Sequence, residues 1–107
     1  MGSYFVYMLR CSDDSFYIGL TIDVSRRVAE HETGAIPKAY THYRRPVQLV
    51  WVGEFRTHEE AFAFERQIKG WSRAKMKALI DNDWNKIHDI VKDEREKREL
   101  KKRNENA

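Results

Sequence analysis

Residues 5–19 read FVYMLRCSDDSFYIG, and how this stretch pairs with itself decides the fold. Positions 4–9 are apolar or aromatic without alternation, the pattern of a strand covered on both faces and therefore central in its sheet. Ser12-Asp13-Asp14-Ser15 follows, a run of short polar side chains that favour turns and tolerate left-handed backbone. A second strand over residues 16–20 then closes a β-hairpin. It carries Tyr17, while the first strand carries Tyr7. Whether the two phenols share a face depends on the parity of the loop between them, because side chains alternate along each strand. A three-residue loop of Asp13-Asp14-Ser15, with residue 12 opposite 16, or a bulge of the same count, places both on one face. A two-residue turn separates them.

Outward from the hairpin, Asp23 caps a predicted helix running to about Glu32, with Val24 and Val28 on its buried side and Gly34 ending it. Arg27 and His31 stand four apart beside that apolar stripe, so both lean toward the sheet. After an acid-free loop with Lys38, His42, Arg44 and Arg45, a third strand is predicted over 47–52, after Pro46. Thr57, with Glu60 three residues on, opens a helix that Gly70 closes. Ser72 caps a further helix to about Ile80, and a last helix beginning near Trp84 docks through Trp84, Ile87 and Val91. The expected fold class is α+β: a small three-stranded antiparallel sheet flanked by helices. Residues 1–92 are read as the domain and 93–107 as a charged helical extension or disordered tail.

Composition narrows the function classes. With 41% hydrophobic residues in 107, the chain builds one small core and no long apolar span, so a membrane role is excluded and a cytoplasmic location expected. The single cysteine, Cys11, cannot form an internal disulfide or a Cys-rich zinc site. A net charge of +3 is too small by itself to imply a polyanionic partner. Distribution matters more: residues 66–80 form a second acid-free stretch around Trp71. Together with the earlier loop, Lys38, Arg44, Arg45, Lys69, Arg73 and Lys75 are candidate phosphate contacts, with Tyr40, Tyr43 and Trp71 beside them for unstacked bases.

Glu65 is the least expected residue. On a helical wheel it lies between Ala61 and Phe62, in the arc that should face the core. A carboxylate there needs a cation or an arginine partner, because burying it unpaired is costly or forces it neutral.

Phe5-Val6-Tyr7, Tyr17-Ile18-Gly19, Thr21, Asp23, Arg26-Arg27, His31, "RRPVQLVW", Glu65 and "QIKGWSRAKMKALI" stand in an order that resembles the GIY-YIG nuclease superfamily, in its small stand-alone branch. The resemblance covers about residues 4–80. It implies metal-dependent phosphodiester hydrolysis, often on branched or damaged DNA, with Tyr7 and Tyr17 as paired phenols, Arg27 binding phosphate, His31 beside them and Glu65 holding weakly bound Mg²⁺ or Mn²⁺. Tyr17 would take a proton from the attacking water once a neighbouring cation and Arg27 favour its ionised form. Leu20 stands where some members carry lysine, and Asp14 where glycine is common. DNA is favoured over RNA as partner, and affinity is expected to be modest unless the chain dimerises or a protein partner supplies targeting. The alternatives are a binding module without useful turnover and an RNA-directed nuclease.

Overall fold

A computed structural model describes residues 2–105, in two compact units, 1–70 and 71–107. The first holds strands β1 (Tyr4–Arg10) and β2 (Phe16–Thr21), helix α1 (Val24–Thr33), strand β3 (Gln48–Phe55) and helix α2 (His58–Lys69). The second holds α3 (Arg73–Ile80) and α4 (Trp84–Glu105), which pack on each other. The α+β class holds, and the sheet is antiparallel in the order β2-β1-β3. The unalternating block is thus the central strand, and Val6, Tyr7, Met8 and Leu9 are all buried.

Parity in the hairpin is as required, but the register differs by two residues. Arg10 pairs with Phe16, Leu9 with Tyr17 and Tyr7 with Gly19. The loop is Ser12-Asp13-Asp14, one residue earlier than expected, because the Cys11 N–H donates to the Ser15 carbonyl (2.8 Å). Asp14 turns the chain with φ 69°, after its N–H has bonded the Cys11 carbonyl at 2.9 Å. This is the three-residue hairpin with a left-handed last position, and an aspartate tolerates that position. Asp13 accepts from the Ser15 N–H (3.1 Å) and hydroxyl (2.6 Å). These bonds, and then Arg44, hold its carboxyl below the usual range.

The two faces of β1 meet different neighbours. Tyr7, Leu9, Cys11 and Val47 form one cluster, with Tyr17 and Val28 of α1 packed on it. On the other face, α2 lays Phe64 against Trp51 and Phe55, at ring distances of 5.7 and 5.3 Å, and His58 against Tyr4. Trp51, Phe55 and Tyr4 share that face because Met8 pairs with Trp51 and Tyr4 with Phe55. β3 runs through Gly53 to Phe55, further than the expected end at residue 52, and its pairing shifts between Met8 and Leu9.

The caps are those the sequence announces. Asp23 accepts from the Arg26 N–H, Thr57 from Glu60 and Ser72 from Lys75. Gly34 ends α1 at φ 72°, a conformation that costs a side-chain-bearing residue. In the second unit, α4 continues without a break through residue 92, so the charged segment is helical as far as it is described; positions 106 and 107 lie outside the described residues. Trp84 does not dock as expected. It is 47% exposed, its indole N–H donating to Asn82 Oδ1 at 3.0 Å, whereas Ile87 is buried. No helix among the described residues is long and apolar enough to cross a membrane.

Candidate active site

The site is built on the face of the sheet under α1. Tyr7 lies across Gly19, its partner on β2, so closely that a Cβ there would sit on the Tyr7 hydroxyl and ring. Tyr7 is 1% exposed and cannot give way, so Gly19→Ala is expected to destabilise the fold by about 1–3 kcal/mol, the usual cost of overpacking. The check is a lowered denaturation midpoint at unchanged m-value; an unaltered midpoint would show that the ring has room to move.

Around Tyr7 stand Tyr17, with ring centroids 6.2 Å apart, and His31, whose Nε2 is 2.9 Å from the Tyr7 hydroxyl oxygen. The Tyr17 and His31 rings are 5.0 Å apart. His31 is the buried residue of α1, as its place beside Val28 foretold. Its other nitrogen, Nδ1, is 2.6 Å from the hydroxyl of Thr41, which is also buried. Burial and the Arg27 charge push the His31 pKa down, so the ring is held neutral. Burial, and then the nearby Tyr17, push the Tyr7 phenol up to about 12 in spite of its hydrogen bond from Arg27. That bond in turn raises the Arg27 pKa. Arg27 also pairs with Glu30 at 3.7 Å and keeps 37% of its side chain exposed. It borders an open groove of about 490 Å³ that runs along Leu20–Asp23. A fixed cation on the rim of such a groove, backed by two phenols, is where an anionic oxygen would be received.

The loop after α1 closes the site from above. Tyr40 stacks on Tyr17 at 6.2 Å and 17°. The Arg44 guanidinium lies 3.8 Å over the Tyr40 ring, donates to the Tyr40 carbonyl (2.8 Å) and to Asp13 (3.1 Å). Arg44 was expected to meet phosphate; it instead pins this loop to the hairpin turn, because Asp13 presents an ionised carboxyl within reach. Two further expected contacts are occupied within the protein. Lys69 pairs with Glu65, and Lys75 is buried, 3.0 Å from Glu94 of α4 and over the Trp71 ring. Lys38, Arg45 and Arg73 are exposed, although Arg45 spends one N–H on the His42 carbonyl.

Glu65 is placed differently from the other four. Its side chain is only 12% exposed, in the inward arc with Ala61 and Ile68, and its carboxylate pairs with Lys69 at 3.4 Å. The sequence reading anticipated a cation or arginine there; lysine one turn on supplies the charge. α2 packs on the face of β1 opposite the phenols and also against β2, an edge strand. Among the described residues no three His, Cys, Asp or Glu cluster as a ready cation site. A single hard carboxylate fits Mg²⁺ or Mn²⁺ that keeps most of its waters, and it binds weakly.

Sequence reasoning missed Thr41, the stacking of Tyr40 on Tyr17 and the Asp13–Arg44 tie. Each depends on how the loop between α1 and β3 folds back, and no periodicity announces that path.

Comparison with known proteins agrees with this architecture. The GIY-YIG catalytic domain model matches residues 3–78. A UPF0213 protein of Natronomonas pharaonis is 42% identical over 77% of this chain and 95% of its own. One from Staphylococcus aureus is 45% identical over 75% and 96%. A solution NMR structure of a protein from E. faecalis superposes with a TM-score of 0.55 at 33% identity, covering 77% of this chain and 86% of that one. A sheet with two facing tyrosines, an Arg-x-x-x-His helix and these matches lead to one conclusion: the chain belongs to the GIY-YIG catalytic-domain family, in the stand-alone UPF0213 group.

Proposed function

We propose that this protein is a metal-dependent endonuclease that hydrolyses phosphodiester bonds in DNA, with branched or damaged structures as its substrates. GIY-YIG domains are typically endonucleases, which supports a nuclease at the coarse level, and they generally use divalent metal ions. The observation that carries the reading is the convergence of Tyr7, Tyr17, Arg27 and His31 on one face of the sheet beside an open groove. A structural cluster would not leave a guanidinium on the groove's rim.

Hydrolysis brings a water oxygen onto phosphorus while the bond to the leaving oxygen breaks, and negative charge accumulates on the phosphoryl oxygens. Arg27 would hold one of those oxygens and offset that charge. Tyr17, in its ionised form, would take the proton from the attacking water. Tyr7 stays protonated and orients Tyr17 by hydrogen bonding, since its own proton is held up to a pKa of about 12. His31, neutral and buried, fixes Tyr7. Glu65 would hold the divalent ion, which when bound supplies positive charge toward the leaving oxygen.

The test is incubation of purified protein with single-stranded, duplex, nicked, flap and branched DNA and with RNA, in Mg²⁺, Mn²⁺ or chelator. Metal-stimulated cleavage of DNA is expected, strongest on branched forms. Glu65→Ala is expected to abolish the metal-stimulated part while changing nucleic-acid affinity by less than about threefold, because a carboxylate does not itself attract phosphate. Cleavage unchanged by that substitution, or insensitive to chelator, would remove Glu65 and the metal from the mechanism.

A further inference from the structure

The contact that no part of this mechanism yet uses is that between Thr41 and His31. A neutral imidazole has a single N–H, so its two nitrogens cannot both donate. Two arrangements fit the distances. In one, the Thr41 hydroxyl donates to Nδ1 and Nε2–H donates to the Tyr7 oxygen. In the other, Tyr7 donates to Nε2, and Nδ1–H donates to Thr41.

The second arrangement strands a proton. Thr41 is 1% exposed, and among the described residues His31 Nδ1 is the hydrogen-bond partner of its hydroxyl. If that hydroxyl only accepts, its own hydrogen is buried with nothing to bond, which native interiors avoid. The first arrangement leaves no such hydrogen. It also suits the oxygen of Tyr7, which then accepts from His31 and keeps its own proton for Tyr17, the phenol beside it with ring centroids 6.2 Å apart.

We propose that Thr41 is a positioning residue that sets the direction of a buried donor chain: Thr41 O–H to His31 Nδ1, His31 Nε2–H to Tyr7, and Tyr7 O–H to Tyr17. The chain delivers a hydrogen-bond donor to Tyr17, the phenol that carries the base role in the function proposed above, on which only the activity arm of this inference rests. Reversal of the chain would turn Tyr17 into a donor and remove its capacity to accept a proton from water. The loop that carries Thr41 therefore does more than cover the site, and its sequence decides which tyrosine is the base.

The experiment reads the imidazole directly. Nitrogen-15 NMR of His31 is recorded in the wild type, in Thr41→Ser, which keeps the hydroxyl, and in Thr41→Val, which replaces it at nearly equal volume. The wild type and the serine variant are expected to show the Nε2–H tautomer alone. The valine variant is expected to lose the hydrogen-bond shift of the unprotonated Nδ1 and to hold the Nε2–H form less exclusively, because nothing then donates to Nδ1. On the best-cut DNA of the panel, Thr41→Val is expected to lower kcat by about tenfold at constant KM, with Thr41→Ser within about twofold of wild type. A wild-type His31 protonated at Nδ1 overturns the proposal, as does a valine variant with wild-type imidazole signals. If the valine variant fails to fold, the wild-type and serine spectra still decide. A protein that cuts no substrate would defeat the nuclease reading and leave the tautomer result standing on its own.

Discussion

Replacing Arg27 by alanine is expected to slow phosphodiester cleavage by about 10²–10³-fold, the range seen when one preorganised charge-stabilising donor is removed. The guanidinium is held from behind by the Tyr7 oxygen and from the side by Glu30, and it keeps over a third of its side chain in solvent. It is thus fixed in place before substrate arrives, so little reorganisation is needed when charge develops on the phosphoryl oxygens. Partial exposure also means that alanine leaves no cavity, and stability should move little. Arg27→Lys should recover only part of the rate, since a point charge replaces a planar fork that serves Tyr7 and phosphate together. Single-turnover cleavage with a parallel binding titration separates the two effects. A loss confined to affinity, or a rate within threefold of wild type, would show that Arg27 only attracts the substrate.

How much of this was legible before the structure follows the range of the forces involved. The caps at Asp23, Thr57 and Ser72 act over three residues, so sequence alone locates them. The central position of β1 follows from its unbroken apolar run, and the shared face of Tyr7 and Tyr17 needed only the parity of one turn. Its register did not follow, because Asp14 could take the left-handed position that moved the loop one residue earlier. Arg44 and Lys75 looked like free cations, but their partners Asp13 and Glu94 lie 31 and 19 positions away in sequence. Nothing local links such residues. The misplaced docking of Trp84 has the same origin: helical spacing marks an apolar stripe without saying whether a nearby amide will bind the indole N–H at the helix start.

Glu65 shows the limit from the other side. Its position in the core arc of α2 was readable, as was the need for a compensating charge, and Lys69 meets that need one turn later. Any cation that binds there shares the carboxylate with this lysine, whose charge opposes it, which adds to the reasons for weak binding without substrate.

The two tyrosines should separate in mutagenesis, although they share a face. Tyr17→Phe is expected to cost about 10³-fold in kcat, within the range for loss of a positioned general base, while Tyr7→Phe should cost clearly less, about tenfold to a hundredfold. The asymmetry comes from burial. Tyr7 is 1% exposed and holds its proton to a pKa of about 12, so at neutral pH it cannot accept one from water. Its part is to donate to Tyr17 and to be fixed by His31. Phenylalanine at position 7 keeps the ring that packs over Gly19 but strands His31 and Arg27, so it should destabilise the fold more than the same change at position 17, which strands only the Tyr7 O–H. A rate profile taken below pH 10 should show no inflection from Tyr7. The reverse order of effects, with Tyr7→Phe the more damaging in kcat at equal folded fraction, would move the base role to Tyr7. It would also require the Thr41 to Tyr17 chain to run the other way, so these two substitutions and the His31 tautomer must agree on one polarity.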